Sequence, residues 1–395
     1  MKTGDDMNME ELILALDACL AERRACVVAT IVDVDGSAYR REGARCLIHA
    51  DGEVTGILSG GCIEEDLREH AQEVLRTLEP RKLLYDFRIG EDEVWGTGLG
   101  CNGAITVWLE PFDPVCAPDA ADRIIGDLRQ RVETREPYVA ATVIGSSDPA
   151  AVPPGARRTL AGAAEAAGLL GAGRRAGLVR RTEGSAQLEL LLERVAPRPE
   201  LVIVGVGDDA RLLCSLARRL QWRVTVAYHA TGKATRERFP AADELQIIPR
   251  FAFEQVDVRG KYVVVMSHNL ELDREAVHKM LTPEVQYVGL VGSRYRLEKI
   301  LEPIRNPGEP ERAIEPALLD KLYSPVGLDI GAETPEEIAM SILAEITAIK
   351  NGRSGGFLRD RKGAIRGGGT DASLNASTSS PSFLDEPAFP ESCRV

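Results

Sequence analysis

The chain has 395 residues, which at roughly 150 residues per domain predicts two or three domains and excludes a single small module. Hydrophobic residues make up 44% and charged residues 28%, ordinary globular proportions that exclude wholesale disorder and can supply a sizeable core. Lys and Arg number 48 against 61 Asp and Glu, a formal charge of -13; a field of that sign repels phosphate backbones and anionic lipid, so neither nucleic acid nor membrane is an expected partner.

No apolar run approaches the roughly 18 residues of a membrane span, and Met1 to Asp6 has no apolar signal-peptide core, so a cytoplasmic protein is expected. The eight cysteines (Cys19, Cys26, Cys46, Cys62, Cys101, Cys116, Cys214, Cys393) never form C-x-x-C. That argues against a disulfide framework or a structural zinc site and predicts free thiols, most of them inert core packing.

Glu10 to Ala21 predicts an opening helix and Ala25 to Val34 a strand. Arg45 to Leu58 holds two apolar runs joined by Asp51-Gly52, a hairpin signal. Ser59-Gly60-Gly61 opens into Cys62 to Thr77, where Ile63, Leu67, Ala71, Val74 and Leu75 have helical spacing. Lys82 to Phe87 and Ala104 to Leu109 predict two strands flanking Gly96-Thr97-Gly98-Leu99-Gly100-Cys101-Asn102-Gly103, a loop whose backbone N–H groups are unusually approachable. From Pro111 to Pro199 the pattern is weak: Pro153-Pro154-Gly155 and the Ala, Gly and Arg rich stretch to Arg181 predict surface connections, with Gln187 to Val195 as a strand completing the first domain.

From Glu200 the pattern sharpens. Leu201 to Val206, the turn Gly205-Val206-Gly207, a helix to Leu220 and a strand at Arg223 to Ala227 make a βαβ unit. Strands at Tyr262 to Met266 and Tyr287 to Val291 alternate with helices near Asp273 to Leu281 and from Ser293. The fold class expected is therefore α/β, an N-terminal α/β domain followed by a Rossmann-like, doubly wound parallel sheet. Thr334-Pro335-Glu336-Glu337 has a capping residue, proline at the first helical position and glutamate at the third, ahead of an Ile338, Ile342, Ile346, Ile349 stripe. Residues 1–197, 198–352 and a mobile tail at 353–395 are the expected divisions.

Gly205 and Gly207 follow a strand and open a helix, the setting in which a glycine turn binds a dinucleotide phosphate; the alternative is a tight turn serving strand-to-helix packing. Asp208 and Asp209 occupy the first turn, where an anion would sit, and Tyr228-His229 stands where an acid would hold a ribose. Ser293 is a natural N-cap, and Arg294 beside it can fork onto an oxyanion. His268 follows a strand at the carboxyl edge where open sheets bind ligands, although a lone histidine is commonly structural. Gly232-Lys233 fails as a P-loop, because Ala227 and Ala234 replace the required glycine and hydroxyl residues. Cys62 and Cys101 differ from the other thiols in lying within glycine turns, and a thiolate there suits a soft metal or sulfur transfer.

Five segments together carry a family resemblance: Gly36-Ser37-Ala38-Tyr39-Arg40-Arg41-Glu42-Gly43-Ala44, Ser59-Gly60-Gly61-Cys62-Ile63-Glu64, Gly98-Leu99-Gly100-Cys101-Asn102-Gly103, Tyr287 to Arg294, and Pro325 to Ala339. In this order they resemble the XdhC/CoxI family of xanthine dehydrogenase accessory proteins, over about residues 10 to 112 and 198 to 352. The resemblance implies a cytoplasmic maturation factor that binds molybdenum cofactor, holds it for sulfuration and delivers it to a molybdenum hydroxylase of the xanthine or carbon monoxide dehydrogenase type. What it implies is a cofactor chaperone more than a turnover enzyme.

The cysteine that the family associates with cofactor falls on Cys101, the expected metal ligand, with Cys62 as second candidate. Gly60, Gly61, Gly100, Gly103, Gly205, Gly207, His268, Ser293 and Arg294 complete the expected cofactor-binding set. Partners implied are an apo molybdenum hydroxylase and a cysteine desulfurase, and a homodimer is compatible with the reading. Tyr228 stands where relatives often carry aspartate, which argues against NAD(P). Two alternatives remain: an NAD(P)-dependent oxidoreductase using Gly205 and Gly207, and a nucleotide-sensing regulatory module.

Overall fold

The first helix, α1 (Met9–Glu22), is set by its ends: Asn8 accepts the Glu11 N–H at 3.0 Å while the Glu11 carboxylate accepts the Asn8 N–H at 2.9 Å, and Arg23 stops the helix in a left-handed conformation at φ 53. Leu12, Ala15, Leu16 and Cys19 lie on one helical stripe, and all four are buried. The computed structural model to which α1 belongs describes residues 7–36, 38–61, 63–88, 103–160, 168, 170–171, 174–230, 232–302 and 314–360. The chain divides after Pro197 into two compact units.

In the first unit β1 (Cys26–Gly36), β2 (Arg45–His49), β3 (Val54–Thr55), β4 (Arg81–Asp86) and β5 (Gly103–Phe112) form a sheet in the order β3-β2-β1-β5-β4, every neighbour antiparallel. Gly52 makes the turn between β2 and β3 at φ 85. Successive residues of a strand point to opposite faces, and β1 is apolar on both. Val27, Ala29 and Ile31 meet Leu67, Ala71 and Val74 of α2 (Glu64–Thr77), whereas Cys26 and Val28 pack with α1 and α3 (Pro118–Glu133).

Residues 113 to 196 carry more structure than the surface connections expected between Pro153 and Arg181. Beyond α3 they form a second antiparallel sheet, β6 (Tyr138–Ser146), β7 (Arg157–Leu160), β8 (Ala176–Glu183) and β9 (Ala186–Val195), in the order β7-β6-β9-β8. Ile144 and Leu191 of this sheet bury Val32 and Trp108 of the first. The pattern is hard to read from sequence because charged residues are buried as pairs. Glu193 accepts from Arg45 at 2.7 Å and from Arg131 at 2.6 Å, Arg157 pairs with Glu110, and Arg158 with Glu183 at 2.9 Å. Pairing is what makes such burial tolerable.

The second unit is a parallel sheet of β10 (Glu200–Val204), β11 (Arg223–Tyr228), β12 (Glu244–Ile247), β13 (Tyr262–Val265), β14 (Tyr287–Leu290) and β15 (Leu322–Tyr323). Their order, β12-β11-β10-β13-β14-β15, is the 3-2-1-4-5-6 order of a Rossmann fold. Helices α4 (Asp208–Arg219), α5 (Leu270–Met280), α6 (Arg294–Leu301) and α7 (Pro335–Lys350) accompany it, and α4 packs on α7. Thr334 and Glu337 form the expected capping box, with Ile342 and Ile346 of the stripe buried. Sequence patterning misses β12, a four-residue edge strand with Glu244 and Ile247 exposed, and β15, which is two residues long. Of the expected tail, residues 353–360 are exposed and 361–395 lie outside the described residues. Among the described residues no helix is long and apolar enough to cross a membrane.

Candidate functional site

Described residues of the N-terminal motifs lie at one end of the first sheet. Gly36 closes β1 and Gly103 opens β5, and the two are register partners although 67 residues separate them in the chain. Gly103 is buried, and its carbonyl accepts the Phe87 N–H at 3.0 Å. Tyr39, from the first motif, is 59% exposed, and its ring lies 3.8 Å from where a Cβ on Gly60 would stand. Gly60 and Gly61 have φ of 79 and 114, a region that side chains rarely adopt, and among the described residues a Cβ at Gly61 would have no neighbour within 4 Å.

A carboxylate holds the loop closed. Glu64 accepts from the Ser59 hydroxyl at 2.7 Å, from the Ser59 N–H at 3.1 Å and from the Ile63 N–H at 3.1 Å, so both flanks of residue 62 are bound to one side chain. Burial alone would raise the Glu64 carboxyl, but these hydrogen bonds outweigh it and hold the group below its ordinary range. Sequence spacing starts the helix at Cys62, whereas α2 begins at Glu64 with Ile63 as N-cap. The cause is this same inward turn of the Glu64 side chain. Cys62, Gly100, Cys101 and Asn102 themselves lie outside the described residues. Neither Glu64 nor Tyr39 stands out in the sequence, because a Ser-to-Glu spacing of five matches no common cap.

The turn glycines Gly205 and Gly207 of the second unit face protein. Gly205 has φ 153, and a Cβ there would fall 2.5 Å from the Met266 carbonyl oxygen, so glycine is required for close approach of the chain beyond β10 to the chain beyond β13. A Cβ on Gly207 would fall 2.4 Å from Asp209 Oδ1. Asp209 occupies the start of α4: Oδ1 accepts the Ala210 N–H at 2.9 Å and Oδ2 lies 3.0 Å from His268 Nε2. His268 sits at the topological switch point with a left-handed backbone at φ 59 and its side chain 61% exposed. The structure thus brings Gly207, Asp209 and His268 together. A carboxylate stands where a pyrophosphate would bind, and Tyr228, buried at the end of β11, offers no acid to a ribose.

Ser293 and Arg294 belong to the next turn, between β14 and α6. Ser293 caps the helix by accepting the Arg296 N–H at 3.3 Å, and Arg294 is exposed with no ion pair among the described residues. The arginine already engaged is Arg296, which gives Asp273 two hydrogen bonds at 3.1 and 2.5 Å. Asp273 is fully buried and also accepts the Ser267 N–H at 3.1 Å and hydroxyl at 2.5 Å. This network fixes the segment that carries His268, and no motif in the sequence announces it. Among the described residues no group of three or more His, Cys, Asp or Glu side chains is arranged to hold a metal ion.

Comparison with known proteins places these features in context. Residues 201–346 match the model of the XdhC Rossmann domain, and residues 19–87 that of the XdhC and CoxI family. The chain is 31% identical over 337 residues to a Bacillus subtilis (strain 168) protein named as a probable xanthine dehydrogenase subunit, with the alignment covering 84% of this chain and 95% of that protein. It is 24% identical over 344 residues to the molybdenum cofactor insertion chaperone PaoD of Escherichia coli (strain K12), covering 86% and 87% respectively. A crystal structure of a protein described as a xanthine dehydrogenase, from Bacillus halodurans, matches with a TM-score of 0.64 at 28% identity, over 88% of this chain and 97% of that one.

Proposed function

Because the chain belongs to the XdhC and CoxI family, we propose that it takes part in molybdenum cofactor maturation, binding the cofactor as cargo and delivering it to an apo molybdenum hydroxylase. The name of the PaoD relative supports this reading. The observation that carries it is the pairing of Gly36 with Gly103 and of Tyr39 with Gly60, which draws described residues of the N-terminal motifs together.

In this proposal Cys101 is the metal ligand, because a thiolate is the soft donor that loop can offer, and Cys62 is the second candidate for that role. Gly60, Gly61, Gly100 and Gly103 let the chain approach a large ligand without side-chain clash. Glu64 positions the first loop through the bonds to Ser59 and Ile63. Ser293 and Arg294 are proposed as partners for a phosphate, with Gly205, Gly207 and His268 beside the carboxyl ends of β10 and β13. The cofactor is held for sulfuration by a cysteine desulfurase and released to a client of the xanthine or carbon monoxide dehydrogenase type, in the cytoplasm. The protein's own part is retention rather than turnover. Molybdenum analysis and pterin fluorescence of the full chain, purified from a host that makes the cofactor, test this. Co-purifying molybdenum and pterin are expected, and their absence from folded protein contradicts it.

The Rossmann strand order favours a second reading, a nucleotide-sensing module. The Asp209 carboxylate at the start of α4 weighs against NAD(P). Micromolar binding of NADH by the unmodified chain would favour that module or an oxidoreductase.

A further inference from the structure

Three groups that could exchange protons and electrons converge beneath the turn joining α1 to β1. Cys19, in the last turns of α1, is buried with its sulfur 3.8 Å from His49 Nδ1. His49 Nε2 lies 3.0 Å from the Thr55 hydroxyl, which fixes the imidazole from its other side. Cys26 begins β1, is the register partner of His49 on β2, and belongs to the same core cluster as Cys19. The two thiols are close enough to shift one another's titration in opposite directions, Cys19 down and Cys26 up. All three are buried, yet of the three residues that join the helix to the strand Arg23 and Arg24 are exposed.

We propose that Cys19 and Cys26 form an oxidisable dithiol, in which Cys19, paired with His49, reacts with a peroxide and Cys26 resolves the product to an intramolecular disulfide. The peroxide is the oxidant class that fits, because hydrogen peroxide is small and uncharged and can reach a buried sulfur through local opening of the three-residue turn. Cys19 thiolate attacks one peroxide oxygen, the O–O bond breaks, and the leaving hydroxide takes a proton from the His49 imidazolium and departs as water. Cys19 is now a sulfenic acid. The Cys26 sulfur attacks the Cys19 sulfur, the S–S bond forms, and the hydroxide departs as a second water with the Cys26 proton. Two thiols are oxidised by two electrons and one peroxide is reduced, giving two waters.

The other described thiols lack this arrangement. The Cys26 hydrogen bond, opposed by burial and aided by His49 and Arg24, holds Cys19 well below the ordinary thiol range. Burial pushes Cys46 up, and likewise Cys214 to about 12. Cys116 is exposed but raised by the charge of Asp113. Selectivity for Cys19 over Cys116 therefore runs against exposure.

The test treats the folded, reduced full chain with hydrogen peroxide, followed by alkylation and non-reducing tryptic mapping. Cleavage after Arg23 and Arg24 places the two cysteines on separate peptides. A disulfide-linked pair containing Cys19 and Cys26 is expected, forming faster than Cys116 oxidises and about tenfold more slowly in His49→Gln. In Cys26→Ser a dimedone adduct is expected on Cys19. Folded wild-type protein that yields no Cys19–Cys26 link, or that oxidises Cys116 first, overturns the proposal.

Discussion

The two units use glycine at similar places for opposite reasons. In the N-terminal unit, Gly61 has a positive φ and nothing within 4 Å of the space a side chain would fill. In the C-terminal unit, Gly205 also has a positive φ, but the Met266 carbonyl would lie 2.5 Å from its Cβ, and Gly207 and Gly292 would meet Asp209 and Arg296 at 2.4 and 2.5 Å. The turn at Gly61 thus has room among the described residues, whereas the turn at Gly205 and Gly207 is filled by the protein itself. A strand-glycine-helix pattern in sequence describes both equally well, and only what surrounds each glycine separates a binding loop from a packing turn.

Gly205→Ala should break this comparison hardest. The added methyl meets backbone that cannot swing aside, on top of an unfavourable φ, so a loss of about 3 kcal/mol or outright failure to fold is expected. Chemical denaturation measures it, and a loss no larger than that of Gly61→Ala would remove the distinction.

Acid separates the units next, because buried ion pairs join the two sheets of the N-terminal unit alongside their apolar contact, whereas the core of the C-terminal unit is largely apolar. Burial would raise the Glu193 carboxyl, but Arg131 and Arg45 overcome it and hold it at about 2. A depressed folded-state value contributes stability above the ordinary glutamate range, and that contribution is lost as the pH falls towards 2. Amide exchange in β6 and β9 should therefore accelerate before exchange in β10 and β13. The reverse order would contradict an ionic junction.

Gly61→Ala is the smallest structural effect and the most informative for function. With open space around the methyl, only the backbone conformation opposes it, at about 1–2 kcal/mol. Molybdenum and pterin carried by the purified protein should nevertheless fall. Unchanged loading would mean that the loop does not face the cargo.

How much of this was readable beforehand follows from where the chain keeps simple rules. The βαβ unit from Glu200, the hairpin at Asp51-Gly52 and the Thr334 capping box are local signals, and each has its expected element. The second N-terminal sheet hides because Arg131, Arg157, Arg158 and Glu193 occupy interior positions where alternation predicts apolar residues, and their burial depends on partners far away in sequence. The candidate site was half legible. The glycine motifs mark themselves, but the Gly36–Gly103 pairing, the grip of Glu64 on Ser59 and Ile63, and the Asp273–Arg296 support beneath His268 are long-range or unpatterned contacts. Cys19 and Cys26, expected to be inert packing, differ from Cys46 through one another and through the histidine that β2 brings beside them.

Retention of the cargo is assigned above all to the thiol of Cys101, and molybdenum and pterin content per folded chain, measured for wild type, Cys101→Ala, Cys101→Ser and Cys62→Ala, tests it. Serine restores size without a soft donor, so both Cys101 variants should lose the cofactor while stability changes by under about 1 kcal/mol. Cys101→Ala and Cys101→Ser that retain full cofactor and still activate a molybdenum hydroxylase would contradict the assignment, and loss confined to Cys62→Ala would move the ligand to the first loop.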